Sequence, residues 1–395
     1  MPESIFTPAT LLNDVCDPAS SPSQRSPRMQ DHFVALTDPR RRKVIYPLIN
    51  VVTIALCAVL CGADDFVSIA DYGRKKRKWL KQFLDLSAGI PSHDRFNAIL
   101  GAIKPDEFER CLLSWITALH EVTDGQIIAI DGKTLRRSFD AASGKSAIHM
   151  VSAWATANQI TLGQVVVDEK SNEITAIPKL LEIIAVSGCL VTIDAMGCQT
   201  PIAEKIVAAG ADYVLAVKGN QPTLHDGIKD FFGRHLEDNF AEVDVACHET
   251  KERGHGRTDL RTYFVCPAPH DLPDRRRWKK LAAIGMAMTD TLRHGKQTIE
   301  VRYYILSRKL AAKKFAAAVR GHWSIENSLH WQLDVTFGED QSRIRKGHAD
   351  TNFSILRRTA LSLLKNNRTL KVGVKNKRLS AGWCDDYLAQ VLVGQ

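Results

Sequence analysis

The nine cysteines of this chain form no Cys-x-x-Cys pair. That leaves no zinc-finger spacing and no disulfide framework, so a reducing compartment, the cytoplasm, is expected. Cys57 and Cys61 stand one helical turn apart and read as core. The N-terminus lacks the basic, then apolar, then small-residue order of a secretory signal. No uncharged apolar run reaches the ~18 residues a membrane span needs. The longest, Leu48 to Ala63, contains Asn50 and reads as a buried helix. No internal repeat is visible. These absences argue against a secreted disulfide scaffold, a membrane protein and a repeat array.

What the chain has in surplus is positive charge. Its 395 residues carry 53 Lys and Arg against 44 Asp and Glu, a formal net charge of +9 and a pI near 9.1. That balance points to a polyanion as partner. The length allows one large domain with an insertion, or two or three domains.

Residues 1–29 are rich in Pro and Ser and read as a disordered tail. From 30 to 122 the pattern is that of a small all-α domain. Its second helix, from Phe66, carries Arg74-Lys75-Lys76-Arg77-Lys78-Trp79. With Tyr72 and Trp79 beside it, this run is either a solvated face or a phosphate-tracking surface. A further helix follows Pro91, with Ser92 or Asp94 as its cap.

The pattern changes at Asp124-Gly125. Gln126 to Ile130 is a buried strand by length and β-branching, and it ends in Asp131-Gly132-Lys133. Ile148 to Ala157 and Ile160 to Val167 read as a hairpin around Asn158-Gln159. A helix from Ile177 precedes the buried strand Leu190 to Ile193, which ends in Asp194. A helix from Ile202 precedes a fifth strand, Asp212 to Val217, and another helix follows from Leu224. Three strands in a meander followed by right-handed crossovers give an α/β fold with a mixed sheet of ribonuclease H-like order. In that order the first and fourth strands are parallel neighbours about 4.8 Å apart. Residues 123–365 are expected to form this domain, with a β-rich insertion over about 240–307, and 366–395 a basic C-terminal segment.

Three carboxylates carry the chemistry. Asp131 and Asp194 each close an apolar strand, and ligands of open α/β sheets bind beyond the C-terminal strand ends. Glu326 lies on a helix whose apolar line runs Phe315, Val319, His322, Glu326, Leu329, Leu333. A carboxylate on such a line costs several kcal/mol unless a basic side chain, a raised pKa or a metal meets it. Three acids in one pocket need cations. Hard oxygen ligands suit Mg²⁺ or Mn²⁺, and two such ions ~4 Å apart would clamp a phosphodiester under displacement. Asp168, Glu169 and Glu173 are possible competitors that read as solvated loop. Asp334, Glu339 and Asp340 are rivals to Glu326. Cys198 has no base partner and reads as core or pocket wall.

Five stretches resemble the H-repeat-associated transposases, the ISAs group of bacterial insertion sequences: Ile128 to Arg136, Asp168 to Pro178, Asp194 to Gln199, Ala216 to Gln221, and Trp323-x-x-Glu326-Asn327-x-x-His330-Trp331-x-Leu333-Asp334-Val335. The resemblance runs from about Met29 to the C-terminus. It implies a DDE transposase with a ribonuclease H-like core, its acids on Asp131, Asp194 and Glu326, working in the bacterial cytoplasm at the nucleoid. Related insertion-sequence transposases place Tyr and Arg before the glutamate and Lys after it; here Val319, His322 and Leu333 hold those spacings.

The residues expected to contact DNA are Lys133, Arg136, Arg137, Lys218, His255, Arg257, Arg320, Trp323, Asn327, His330, Trp331, Arg343, Arg345 and Lys346. The basic stretch from Arg343 to Arg378 extends that set. The expected activity is metal-dependent cleavage at element ends and transfer of the freed 3′-hydroxyl into target DNA, by a homo-oligomer assembled on DNA. The alternatives are an inactive or domesticated DNA-binding protein and a metal-dependent nuclease that joins nothing.

Overall fold

The computed structural model describes residues 27–41, 44–120, 126–135, 147–167, 172–254 and 256–394. The tail expected over 1–29 therefore lies almost wholly outside the described residues. The described residues open with six helices: α1 (Met29–His32), α2 (Leu48–Leu60), α3 (Phe66–Lys75), α4 (Arg77–Leu80), α5 (His93–Ala102) and α6 (Pro105–Leu119). Their starts follow local chemistry. Asp65 caps α3 by accepting from Ser68 N at 2.7 Å, and Ser92, not Asp94, caps α5 through Arg95 N at 3.3 Å. The apolar α2 is buried along nearly its whole length. Asn50 fits there because its Nδ2 donates to Asp85 O at 2.6 Å. Among the described residues no helix is long and apolar enough to cross a membrane.

The strands are β1 (Ile127–Thr134), β2 (His149–Ala155), β3 (Ile160–Val167), β4 (Leu190–Ile193), β5 (Asp212–Val217), β6 (Ala246–Gly254), β7 (Arg257–Pro267), β8 (Ala283–Arg293) and β9 (Lys296–Leu306). Between them lie α7 (Glu173–Ile183), α8 (Thr200–Ala208) and α9 (Pro222–Glu237). These nine strands of the described residues form one sheet in the order β3-β2-β1-β4-β5-β9-β8-β7-β6. The meander β1-β2-β3 is antiparallel, and β1, β4 and β5 run parallel, with Ile130 beside Ile193 and Ile193 beside Leu215. What reads in the sequence as a β-rich insertion is the second half of this sheet, because β9 pairs antiparallel with β5.

After β9 come α10 (Ala312–Ile325), a π-helical turn (Glu326–His330), α11 (Trp331–Val335), α12 (Ala349–Asn366), α13 (Val374–Trp383) and α14 (Asp385–Leu392). Helix α10 packs on β1, β4 and β6–β8, and α12 packs on α2, α5, α6 and β3. The structure corrects the expected basic surface at this end of the chain in part: Arg368, Lys371 and Lys375 are exposed, but Arg357, Arg358, Lys377 and Arg378 are buried. Helix α12 is buried from Ala349 to Leu364, and its Arg357 and Arg358 are each 2% exposed. Arg378 is also buried: it donates to Val59 O at 2.9 Å, Ala63 O at 3.1 Å and Asp64 Oδ1 at 2.6 Å. Lys377 donates to the Leu364 and Asn367 carbonyls at 2.9 and 2.7 Å. These cations satisfy carbonyls near helix ends, the exposed Asp64 and the buried Glu339; they present little charge to solvent.

Candidate active site

Strand β1 does not stop at Ile130. It outruns its parallel partner β4 and continues, paired with β2 alone, to Thr134. Asp131 and Asp194 each follow the last register pair, Ile130 with Ile193, so the two acids stand side by side at the point where β4 ends. Asp194 Oδ1 accepts from the backbone N–H of Met196 at 3.0 Å and of Gly197 at 3.3 Å. The loop after β5 steadies that turn. Asn220 donates to Ala195 O at 2.6 Å and Gln221 to Cys198 O at 3.0 Å, which explains the amide pair in Lys218-Gly219-Asn220-Gln221. Cys198 is fully buried, as its reading as core requires, and burial pushes its thiol pKa up.

Glu326 enters from the helix side, and the structure corrects its expected burial. Ile325, Leu329 and Leu333 take the core positions, while Glu326 is exposed. The stripe passes from His322 to Ile325, three residues on, so Glu326 is rotated about 100° off it. His330 and Asp334, spaced by four, share the face turned toward β1, while Glu326 lines a cavity with Asp194. His330 Nδ1 lies 3.5 Å from Asp131 Oδ2, and Lys133 Nζ pairs with Asp334.

The electrostatics single out Asp131. Burial drives its pKa up to about 7; the Gly132 N–H works against this, and the carboxylates of Glu173, Asp194 and Glu326 add to it. Its side chain is 20% exposed. His330 cannot serve as its counter-cation, because burial, with Arg358 and Lys133 close by, pushes the imidazole pKa down to about 3. Among the described residues, Asp131, Asp194 and Glu326 meet no Lys or Arg. The donor set is therefore hard oxygen without a cation, which fits a divalent ion. In the present side-chain arrangement no three His, Cys, Asp or Glu groups among the described residues share one ion position.

Glu173 is the acid that sequence reading discounted as solvated loop. It stands in the first turn of α7, 14% exposed, with its Oε1 2.7 Å from His149 Nε2. It packs over Gly132, where an added Cβ would overlap Glu173 Oε1 and lie 2.8 Å from His149 Nε2. This is why a glycine follows Asp131. Gly132→Ala is expected to cost about 1–2 kcal/mol by displacing that hydrogen bond. The check is a lower urea midpoint at unchanged slope; an unchanged midpoint would show that Glu173 is free to move away.

The rivals of Glu326 are otherwise engaged. Lys133 Nζ reaches Asp334, Glu339 Oε2 at 3.0 Å and Asp340 Oδ1 at 3.8 Å. Glu339 is 2% exposed and also accepts from Arg358 at 2.9 Å and Ser354 at 2.8 Å. Burial opposes its ionisation, but Arg358 and Lys133 overcome that and hold its pKa at about 2. Lys133 is 9% exposed and so is corrected from a DNA contact to a buried ion-pair partner. His330 is likewise turned into the site.

Lys218 and Trp323 line, with Asp194, Glu326, His322 and Arg302, a cavity of about 270 Å³. Arg302, absent from the expected set, lies over the Trp323 ring at 3.8 Å. Asn327 and Trp331 are exposed one turn along from Trp323 and Asn327 respectively. Arg320 and Arg257 are exposed but paired, with Glu252 at 2.9 Å and Asp259 at 3.1 Å. Arg343 and Lys346 are exposed and Arg345 half-buried. Arg136, Arg137 and His255 lie outside the described residues, as do Asp168 and Glu169. In the N-terminal helices Trp79 is 5% exposed and packs edge-on to Phe83 at 4.8 Å, which removes it from any DNA surface.

A mixed α/β sheet with acids at adjacent strand ends and a third on a crossing helix defines a class, and the chain matches its family model. "Transposase DDE domain" matches residues 122–363, and "DDE_Tnp_1-associated" matches 30–116. The chain belongs to the H-repeat-associated DDE transposase family. Similar proteins include "H repeat-associated putative transposase YhhI" of Escherichia coli K12, 40% identical over 373 residues, 93% of this chain and 98% of that one. "Putative transposase YncI" of E. coli O157:H7 is 41% identical over 367 residues, 92% of this chain and 93% of its own. "Inactive transposase YbfQ" of E. coli K12 is 34% identical over 68 residues, 17% of this chain and 81% of that one. The family implies DNA as partner and divalent metal ions as cofactor.

Proposed function

We propose that this chain is an active transposase that cuts DNA at the ends of its element and joins the freed 3′-hydroxyl to a target, with a ribonuclease H-like core over residues 123–365. The observation that carries the reading is the set Asp131, Asp194 and Glu326: three neighbouring carboxylates with no Lys or Arg partner among the described residues, in a chain of this family. These three would hold two Mg²⁺ or Mn²⁺ ions, which would polarise the phosphodiester and activate the attacking oxygen. Asp194 is pre-set for its share by the two N–H groups of its turn. Lys218, Arg302 and Trp323, lining the cavity beside Asp194 and Glu326, are suited to hold the strand that carries the scissile phosphate. Water adds to phosphorus and the 3′-oxygen leaves with a proton; in the second step that 3′-hydroxyl takes water's place. Joining at two ends calls for two copies of the chain, so a homo-oligomer on DNA belongs to the proposal.

The test is incubation of the purified protein and Mg²⁺ with a labelled element end and a supercoiled target. Joined product supports a transposase. Cleavage without joining assigns a nuclease, and specific binding without cleavage assigns a DNA-binding protein.

Binding should weaken steeply with salt. In the Arg74–Lys78 run, Arg74 and Lys75 pair with Asp71 at 3.6 and 2.7 Å and Lys76 with Asp385 at 2.7 Å, which leaves Arg77 and Lys78 exposed and without an ion pair among the described residues. Replacing both by Gln is expected to lower the slope of log affinity against log salt by roughly two. An unchanged slope would make the run a solvated face.

A further inference from the structure

The first-acid strand and the third-acid helix are joined twice. Asp131 and Lys133, two apart on β1, point to one face of the strand. His330 and Asp334, four apart, point to one face of the helical segment. Asp131 lies 3.5 Å from His330, and Lys133 pairs with Asp334 one turn further on. Lys133 also reaches Glu339 at 3.0 Å, a side chain that Arg358 and Ser354 fix from α12. The lysine is thus a three-way tie between β1, the end of the Glu326 helix and the buried α12. The π-turn Glu326–His330 lies between the third acid and this tie. A π-turn adds slack to a helix, and such turns concentrate at functional sites. With slack between Glu326 and His330, the position of Glu326 relative to Asp131 depends on how firmly the helix is held beyond it.

We propose that Lys133 is a positioning residue for the metal site: by gripping Asp334 and Glu339 it fixes the Glu326 helix in register against the strand of Asp131. This rests on the DDE reading above. It departs from the sequence expectation, in which Lys133 touches DNA. A lysine in that role would have to leave three acids for solvent, stranding Glu339 with one cation in the core.

The experiment uses the full chain with Lys133→Met and, because that change touches a buried pair, also Asp334→Asn. Asp334 is 32% exposed, and its loss leaves Lys133 and Glu339 paired. Mn²⁺ affinity is measured from the spin-resonance signal of free Mn²⁺, and amide exchange is followed over residues 326–334. Both variants are expected to bind Mn²⁺ about 10- to 100-fold more weakly, the usual cost of losing a group that orients ligands. Exchange across the π-turn should quicken, with DNA affinity and its salt slope unchanged. Lys133→Arg should recover part of the Mn²⁺ affinity. A salt slope lower by about one with unchanged Mn²⁺ affinity would overturn the proposal in favour of a phosphate contact. A lower melting temperature with wild-type Mn²⁺ affinity would overturn it in favour of a purely structural pair. Wild-type protein that binds no Mn²⁺ overturns the DDE reading along with it, whereas variants that match a binding wild type overturn this inference alone.

Discussion

Purified Asp131→Ala, Asp194→Ala and Glu326→Ala proteins are expected to bind element-end DNA with affinity close to that of the wild type and to cleave it on the order of 10³-fold more slowly or not at all. A loss of about 4 kcal/mol of transition-state stabilisation corresponds to that rate, and a missing metal ligand removes at least as much. Binding survives because phosphate contacts come from other side chains. Indeed, Asp131→Ala and Asp194→Ala remove negative charge from the site proposed to cleave DNA, so affinity at low salt should rise slightly. The check is a gel-shift titration beside a cleavage time course for each variant. Near-wild-type cleavage by Glu326→Ala would remove the third acid from its assigned place. Asp334 and Glu339 would be poor replacements, since Lys133 and Arg358 already occupy them.

Backbone order was legible in the sequence where pattern is local. The run Gln126 to Ile130 and the run Leu190 to Ile193 are apolar and β-branched, and a meander followed by crossovers makes them parallel neighbours. The placement of Asp131 beside Asp194 follows from that alone. What escaped the sequence depends on partners far along the chain. Lys133 looks like a surface cation until Asp334 and Glu339, some two hundred residues on, are brought to it. Arg357, Arg358 and Arg378 read as a basic surface because a buried arginine and an exposed one have the same local neighbours. Only the packing of α12 against α2, α5 and α6, and of α13 against α2 and α12, distinguishes them. Glu326 was misplaced by one position. Its helix can be laid on the core through Ile325 or through Glu326, and the apolar side chain takes the inside. The π-turn that follows carries no signal in composition. Glu173 was hidden for a simpler reason: its approach to β1 is permitted by the missing side chain of Gly132, and a glycine in a turn-like Asp-Gly pair does not announce what packs over it.

That correction moves the energetic burden of the metal-free site. Read from the sequence, the strained acid is Glu326, and its amide should relieve the protein most. In the fold Glu326 is exposed, and Asp131 carries the desolvation and the repulsion of three carboxylates. The sign follows from linkage. Burial pushes the Asp131 pKa up to about 7 in the folded chain, against about 3.9 when unfolded. Between those values the folded state holds a proton that the unfolded state has lost, so stability falls as pH rises through the window. With chelator present, the wild type should therefore be less stable at pH 8 than at pH 5, by a contribution on the order of 2–4 kcal/mol from this group. Asp131→Asn keeps the shape and removes the charge. It is expected to melt higher than the wild type at pH 8 and to match it near pH 5, whereas Glu326→Gln should change little at either pH. Mn²⁺ should invert the order at pH 8. The wild type gains with the logarithm of metal concentration over its dissociation constant, and Asp131→Asn, short of one ligand, gains little. Thermal melts of the three proteins at both pH values, with chelator and with Mn²⁺, decide the matter. An Asp131→Asn protein that melts below the wild type at pH 8 in chelator would mean that a cation already compensates Asp131. The site would then be a structural ion pair, with no charge left for a metal to neutralise.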